Sequence, residues 1–287
     1  MSDYVIITDT CCDLPFEYTQ KHGVDIIPIC YELDGTVYGD EVELSPEDFY
    51  AKMREGYMPT TMACNPESVS NHFKTFLEQG TDVIYICFSS GLSSSFNTAS
   101  MVGRDLSEEY PDRKIAVIDS LCAAMGEGLL VHKAVCNKEK GMSFEENVAW
   151  LEENKLHICH QFTVNDLHHL HRGGRVSKTT AIIGTMINVK PVLHVDNEGK
   201  LISLSNVRGR KKALNALVDN MAKTMGDYEN DIVFISHGDC VDDANYVAEK
   251  VKERFGIKEV MINYVCSTIG AHTGPGVVTL FFMGETR

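Results

Sequence analysis

The chain has 287 residues, of which 44% are hydrophobic and 23% are charged, and its formal net charge is −15 at pH 7. This length exceeds the usual size of a single domain, so we expect two domains. An acidic protein is repelled by phosphate backbones and anionic lipids, which argues against nucleic acid or a membrane surface as the main partner.

Short apolar runs alternate with helical patterns in the first half of the chain. Four runs are largely apolar, like strands of a parallel sheet covered on both faces: residues 4–8, 26–29, 83–88 and 115–119. Helix starts carry an N-cap with proline at the first helical position, or a capping box: residues 45–46, 65–66 and 143–146. This alternation predicts a three-layer α/β/α domain with a mainly parallel, doubly wound sheet.

The second half has a different pattern. Two apolar runs, 192–196 and 201–207, flank a turn at residues 197–200 and predict a β-hairpin. Helices and strands then follow: helices at about 210–224 and 242–255, and strands at 232–236, 260–265 and 277–283. We therefore expect a C-terminal two-layer α+β domain with a mixed sheet. We place the boundary so that the domains cover residues 1–155 and 156–287.

The first candidate site is the Gly/Ser-rich turn of residues 89–95, which follows the run at 83–88 and precedes a helix. Free N–H groups and the positive dipole end at such a helix start attract anions. The turn lacks GxGxxG spacing and the chain contains no GxxxxGK[ST] motif, so a standard nucleotide-phosphate loop is disfavoured. The alternative is that these serines only cap the helix.

Two further polar segments contain carboxylate-binding candidates. Thr61 lies in residues 59–66, before a capped helix, and its hydroxyl is a neutral donor that is cheaper to bury than an ammonium group. The alternative for this segment is a structural cap. His272 lies in residues 269–276, which we interpret as a loop with three glycines. A histidine there can donate to a carboxylate without a permanent buried charge.

Five histidines are clustered in one segment: His157, His160, His168, His169 and His171. A zinc site is one interpretation, since imidazole is the commonest metal ligand. The spacing is not HExxH, and the adjacent His168 and His169 would face different sides of a helix, so hydrogen-bonded or solvated histidines are favoured. The segment ends in an arginine-flanked Gly173-Gly174 turn leading into a helix, which either offers guanidinium groups to an anion or closes a loop.

A basic cluster at residues 208–212 stands out in this acidic chain, at the expected start of a helix. Cations are electrostatically unfavourable at a helix N-terminus, so stability does not explain them. Arginine matches phosphate geometry, which favours binding of a phosphate group by Arg208. The alternative is a solvated basic turn.

The first residues, the length of the apolar runs and the cysteines are typical of a cytoplasmic protein. The opening Met1-Ser2-Asp3 passes straight into an apolar stretch without signal-peptide features. No apolar run approaches the roughly 18 residues that cross a bilayer. The 10 cysteines are scattered without a CxxC pair, which is typical of reduced thiols. We expect a cytoplasmic protein with no integral membrane association.

Six segments together resemble the DegV family, whose members include the fatty-acid-binding subunits (FakB) of bacterial fatty acid kinase: residues 8–15, 59–61, 89–93, 172–176, 208–213 and 270–276. They occur in the family's order from end to end of the chain. The resemblance implies one long-chain fatty acid held between an N-terminal three-layer and a C-terminal two-layer domain. Two segments depart from the family pattern, at residues 61–65 and 10–12, but both leave the implied carboxylate ligands in place.

The resemblance also implies roles for individual residues. The carboxylate would be bound by the hydroxyls of Thr61 and Ser93 and by His272. We add to the ligand-binding set Ser94 and Thr273, which are adjacent to Ser93 and His272, and Arg172 of the glycine turn. Arg208 is implied in function with a partner kinase that supplies ATP. The chain would then need no catalytic residue, metal or cofactor of its own, apart from the bound fatty acid as ligand.

Two other readings of the sequence stay open. A serine hydrolase would use Ser90 or Ser93 as nucleophile and His272 as base, with Asp9 or Asp239 to orient the base. The turn lacks the Gly-x-Ser-x-Gly elbow of such enzymes, which disfavours this alternative. The other is a regulatory protein that senses a different small carboxylate.

Overall fold

The computed structural model describes residues 4–165, 167–177 and 188–287. The strands are β1 Tyr4–Asp9, β2 Val24–Ile27, β3 Tyr31–Leu33, β4 Thr36–Tyr38, β5 Thr60–Thr61, β6 Asp82–Cys87, β7 Ile115–Asp119, β8 Ile158–Thr163, β9 Val189–Val195, β10 Leu201–Arg208, β11 Ile232–His237, β12 Glu259–Tyr264 and β13 Val278–Met283. The helices are α1 Phe16–His22, α2 Pro46–Arg54, α3 Pro66–Leu77, α4 Ser95–Glu109, α5 Met125–Glu139, α6 Phe144–Asn154, α7 His168–Arg172, α8 Arg210–Thr224, α9 Val241–Phe255 and α10 Ser267–Thr273.

The first sheet is all-parallel, with strand order β2-β1-β6-β7. Its central strands β1 and β6 are buried along their whole length. Helices α3 and α4 pack together on this sheet, as do α5 and α6, so the predicted α/β/α arrangement is confirmed. The strand predicted at 26–29 is instead Val24–Ile27, because Pro28 has no N–H to continue the ladder.

The second sheet is mixed, with strand order β10-β9-β8-β13-β11-β12, and only β11 and β12 pair in parallel. It contains the predicted hairpin, β9 and β10, and helices α8 and α9 cover one face. Helix α5 contacts its other face as well as the parallel sheet, and residues 125–131 of α5 are all buried. A helix segment buried on all sides, here including Glu127, is part of the core. The mixed C-terminal sheet is therefore confirmed.

A small antiparallel sheet, with strand order β4-β3-β5, was not predicted. Its strands of two or three residues are too short to show alternation. With α2 it forms a separate hydrophobic cluster, which also includes one residue of α10, Ala271. The other buried members are Tyr31, Leu33, Phe49, Tyr50 and Met53. This packing holds β5, and with it Thr61, beside α10.

Predicted helix starts are confirmed by their caps. Ser45 Oγ accepts from Asp48 N, Asn65 Oδ1 accepts from Glu67 N, and residues 143–146 form a capping box. The helix expected to follow the Gly173-Gly174 turn lies outside the described residues, which stop at 177 and resume at 188. The domain boundary at residue 155 coincides with the end of α6 and stays a prediction. None of the helices in the described ranges is long and apolar enough to cross a bilayer.

One ion pair on the parallel sheet gives a pH-dependent prediction. His72 Nδ1 of α3 lies 2.6 Å from Asp25 Oδ2 of β2, and this hydrogen bond raises the pKa of His72 above its usual value. A raised folded-state pKa stabilises the protein below the unfolded value of about 6.5, and this stabilisation is lost as the pH rises through the folded value. We expect Asp25→Asn to remove this stabilisation. The free energy of unfolding of the variant should therefore be lower than that of the wild type at pH 5.5 and approach it at pH 9. Urea unfolding at both pH values measures the free energy of unfolding, and Asp105→Asn on the exposed side of α4 is the control. A difference between Asp25→Asn and wild type that is the same at both pH values contradicts the prediction.

Candidate ligand-binding site

A cavity of about 280 Å³ lies where the carboxyl end of the parallel sheet meets the inner face of the six-stranded sheet. Segments that follow β1, β6 and β7 contribute Cys11, Phe88 and Ala124 to its wall, and the six-stranded sheet contributes Phe162 and Phe281. Open parallel sheets usually bind ligands at this edge. The volume is near the lower limit of small-molecule pockets, about 300 Å³.

The strand register defines the direction of the cavity. Thr163, the last residue of β8, pairs with Val278, the first residue of β13. Helix α7 follows β8 and α10 precedes β13, and the two helices are in contact. Both therefore lie at one end of the sheet, which we call the α7–α10 end.

Thr61 and His272 meet at the α7–α10 end although they are 211 residues apart in the chain. Thr61 Oγ1 lies 2.8 Å from His272 Nε2, and both residues line the cavity. Burial, and then the nearby Arg175 and Arg172, lower the pKa of His272 to about 4, so the imidazole is neutral at pH 7. His272 Nδ1 is buried without a hydrogen-bond partner among the described residues. We assign the proton to Nε2, which donates to Thr61 and leaves the threonine O–H free to donate.

The interpretation of residues 269–276 as a loop is wrong. His272 lies in the last turn of α10, and Gly274, with φ of +75°, is the C-cap of that helix. The glycine within the helix, Gly270, packs on α2, where an added Cβ would lie 2.6 Å from Tyr50 Oη. This glycine permits close helix packing and not a turn, a distinction that local sequence does not carry.

The serine turn forms a second set of linked hydroxyls. Ser95 Oγ accepts from Cys64 N at 3.0 Å and lies 2.9 Å from Ser93 Oγ, which also accepts from Ser95 N at 3.2 Å. A hydroxyl has one donor and two acceptor positions. With Ser95 donating to Ser93, the Ser93 O–H remains free to donate into the cavity that both serines line.

The remaining members of the predicted set are distributed around this end. Ser94 lines the cavity and is exposed, and it makes no side-chain cap bond to α4. Thr273 also lines the cavity, but its hydroxyl donates to Ile269 O at 3.2 Å. Arg172 is not among the lining residues; its guanidinium donates to Pro59 O and to Ala271 O. Arg172 therefore joins the segment before Thr61 to the helix that carries His272.

Two residues of this site were not in the predicted set, Ser95 and Arg175. Arg175 lines the cavity, and its guanidinium donates to Leu92 O at 2.9 and 3.1 Å and to Gly173 O. It therefore puts a positive charge beside the serine turn. For Arg175 the only sequence signal is its place beside the glycine turn, which Arg172 shares. For Ser95 it is the run of serines, which includes Ser93.

The histidine segment contributes hydrogen bonds. His160 is buried on β8, with its Nδ1 donating to Ile158 O and its Nε2 accepting from Ala123 N. His157 Nδ1 lies 2.9 Å from Gly284 O. Among the described residues, no group of three or more histidines, cysteines and carboxylates is arranged to hold a metal ion.

A family model described as "Uncharacterised protein, DegV family" matches residues 3–285. This chain belongs to the DegV family. A DegV domain-containing protein of Clostridium perfringens is 39% identical, with 100% of this chain and 99% of the relative covered.

Two solved DegV structures are similar over the whole chain. A Thermus thermophilus protein, described as a DegV family protein with fatty acid binding, is 29% identical with a TM-score of 0.88, covering 99% of this chain and 100% of its own. A Eubacterium ventriosum protein, described as binding stearic acid, is 28% identical with a TM-score of 0.87, covering 98% of each chain. The fold predicted from the DegV resemblance is confirmed.

The residues of the hydrolase alternative are not brought together in the described part of this DegV chain. Asp9 accepts hydrogen bonds from Cys11 N, Phe88 N and Tyr85 Oη, and Asp239 pairs with Arg54. Neither carboxylate is bonded to His272, whose Nε2 partner is Thr61. The described residues therefore offer hydrogen-bond donors to a ligand and contain no Ser–His–acid relay built from Asp9 or Asp239.

Arg208 lies apart from the cavity wall, at the exposed end of β10. Strand β10 starts at Leu201, which lines the cavity, and runs toward the α7–α10 end, since Ser205 pairs with Val192 and Val192 with Thr163. Arg208 therefore lies beyond the level of Thr163. Its guanidinium has no hydrogen bond or ion pair among the described residues.

Proposed function

We propose that this DegV protein binds one long-chain fatty acid in the cavity, with the carboxylate at the α7–α10 end and the tail along the inner face of the six-stranded sheet. The observation that carries the proposal is the position of the Thr61 and Ser93 hydroxyls, which the assigned protons leave free to donate, at one end of a mainly apolar cavity. The solved relatives described as binding fatty acid or stearic acid support it.

The head group would be held by relayed hydroxyls. Thr61 donates with His272 behind it, and Ser93 donates with Ser95 behind it, so each donor already has its own oxygen satisfied. Such chains polarise one another and strengthen the terminal bond. The charge of Arg175 at the same end offsets part of the desolvation of the carboxylate. His272 acts in this arrangement by positioning Thr61.

The tail would supply most of the affinity. Each buried methylene contributes about 0.8 kcal/mol, so a tail of about 15 carbons contributes roughly 12 kcal/mol before ordering costs. The polar groups deeper in the cavity are already bonded internally; Thr279 Oγ1, for example, donates to Ser236 O. That part of the wall is therefore effectively apolar toward a tail.

The wider assignment is that the protein is a lipid-binding subunit and not an enzyme. We propose that it works in the cytoplasm and presents the acid to an ATP-dependent fatty acid kinase through Arg208. We also propose that residues 1–155 and 156–287 act as two domains with the ligand between them. The hydrolase alternative has no supporting contact in the described residues, and labelling of Ser90 or Ser93 by a fluorophosphonate would be needed to revive it.

The direct test is the identity of the bound molecule. We expect protein purified from a bacterial host to carry about one long-chain fatty acid per chain, because a buried tail of this size dissociates slowly. Solvent extraction followed by mass spectrometry measures the content, and delipidated protein should take up oleate or palmitate. No acid above background together with no uptake overturns the proposal, whereas a different extracted carboxylate indicates the sensing alternative.

A further inference from the structure

On the inner face of the six-stranded sheet, every second residue of a strand points to the cavity. The cavity-lining residues of neighbouring strands therefore form rows across the sheet. On the antiparallel pair β8 and β13, Phe162 lies opposite Thr279 and His160 lies opposite Phe281, and all four residues line the cavity. Because Thr163 and Val278 are at the α7–α10 end, the His160–Phe281 row is the deeper of the two. Successive rows are about 7 Å apart along the strands.

The next row marks the end of the cavity. Ile158 pairs with Met283, two residues beyond His160 and Phe281, and both residues are buried in the hydrophobic core. Neither residue lines the cavity, although the structure describes both. The wall formed by β8 and β13 therefore stops at His160.

The row of His160 continues across the sheet. Gln161 pairs with His194, which places Val195 beside His160, and Val195 pairs with Leu201. Val195 and Leu201 both line the cavity. A transverse row of four side chains therefore crosses β10, β9, β8 and β13 at the level where the cavity ends.

The imidazole of His160 is held in place on several sides. Its Nδ1–H donates to Ile158 O at 3.0 Å, and its Nε2 accepts from Ala123 N at 3.3 Å, so a single neutral tautomer satisfies both bonds. Its ring meets the Phe281 ring edge-to-face at 5.2 Å. A Cβ atom on Gly126 of α5 would overlap the imidazole, so the helix backbone packs directly on the ring.

Arg287 braces the backbone behind this ring. Its guanidinium donates to Ile158 O at 2.9 Å, the same carbonyl that accepts from His160, and to Lys155 O at 3.1 Å. It also contacts Cys122 Sγ at 2.9 Å, next to Ala123. Arg287 therefore binds the carbonyl that accepts from the imidazole and the side chain next to the amide that donates to it, which adds to the support of the ring.

We propose that His160 is the residue that closes the tail end of the cavity and thereby sets the longest acyl chain the protein accepts. This inference rests on the proposed function, because it assumes a fatty acid with its carboxylate at the α7–α10 end. A chain too long for the space meets a fixed, uncharged ring. It must then bend or withdraw its carboxylate from Thr61 and Ser93.

Removing the ring tests the proposal in one direction. We expect His160→Ala to raise affinity for an acid two carbons longer than the wild-type optimum by roughly fifteenfold relative to the optimum itself, since each buried methylene contributes about fourfold. Delipidated protein is equilibrated with an equimolar mixture of saturated acids from dodecanoic to eicosanoic, and the retained acids are quantified by mass spectrometry. Circular dichroism checks folding, because the variant leaves Ala123 N without its acceptor.

A second variant tests the opposite direction and retains the imidazole itself. Gly126→Ala introduces a methyl group that pushes the ring toward the cavity, so the distribution should shift toward shorter acids. It decides the matter even where His160→Ala does not fold.

The matched control is His194→Ala. It removes a half-buried histidine of the neighbouring strand that lies opposite Gln161 and does not line the cavity. The control should retain the wild-type distribution. Folded His160→Ala and Gly126→Ala proteins that retain the wild-type distribution overturn the role of His160. Wild-type protein that retains no fatty acid overturns the proposed function instead, so the two failures are distinguishable.

Discussion

Replacing Thr61 by valine should weaken the binding of palmitate by roughly 10- to 100-fold while the melting temperature stays close to that of the wild type. Valine keeps the shape of threonine but has no hydroxyl, so the carboxylate loses a donor and His272 Nε2 loses its partner. A charged group left without one hydrogen bond costs about 1.5–3 kcal/mol. Displacement of a fluorescent fatty acid measures the affinity. Ser93→Ala, which interrupts the second set of hydroxyls, should have a loss of similar size.

The role of His272 behind Thr61 is testable by a double-mutant cycle. If the imidazole acts by positioning the Thr61 hydroxyl, the double variant Thr61→Val/His272→Ala should bind palmitate as tightly as the single variant with the lower affinity, within about 0.5 kcal/mol. Direct donation from His272 to the ligand would make the two losses add. The matched control is Thr60→Val on the same strand, where the exposed hydroxyl donates to Glu32 instead of facing the cavity. Wild-type affinity in both Thr61→Val and Ser93→Ala would place the carboxylate elsewhere.

The parts of the fold that sequence predicted well are specified locally. Proline and cap residues at 45–46 and 65–66 define helix starts within one turn of the chain, and α8 has the expected bounds, 210–224. The apolar runs that became β1 and β6 are buried on both faces, so no register or partner had to be known. Such signals depend only on near neighbours.

The parts that were missed depend on contacts between distant segments. The β4-β3-β5 sheet is stabilised by α2 and by Ala271, more than 200 residues away, and its short strands carry no pattern of their own. The local sequence around Gly270 predicts a turn, whereas in the structure this glycine allows α10 to pack closely on Tyr50. Periodicity does not report which distant surface a glycine faces.

The candidate site shows the same division. Thr61, Ser93 and His272 were identified through the DegV resemblance, and all three line one cavity. Their mutual arrangement was not predictable, since the direct bond joins Thr61 to His272 whereas Ser93 bonds to Ser95. Arg172 and Arg175 flank the same two glycines, and only the backbone path shows that Arg175 reaches the cavity while Arg172 binds carbonyl groups outside it.

The basic cluster after β10 contains residues with different surroundings. Arg210 is tied into the fold, with Nε 2.8 Å from Asp243 Oδ2 and Nη2 donating to Gly276 O at 2.7 Å. Arg208 is exposed, without a partner among the described residues, at the α7–α10 end where the carboxylate is proposed to lie. An exposed guanidinium at this end is available to a phosphate group of a partner or product.

We therefore expect Arg208→Ala to keep its melting temperature and its bound fatty acid but to lose roughly 100-fold in phosphorylation of that acid by a cognate kinase with ATP. One charge-assisted contact to phosphate worth about 3 kcal/mol accounts for a loss of this size. Arg208→Lys should recover only part of the rate, because an ammonium group does not reproduce the bidentate geometry. Lys212→Ala removes another exposed cation, in the first turn of α8 and away from the cavity wall, and its bound acid should be phosphorylated at the normal rate. Normal turnover by Arg208→Ala would return Arg208 to the solvated surface, and equal losses in Arg208→Ala and Lys212→Ala would indicate general charge attraction in place of a specific contact.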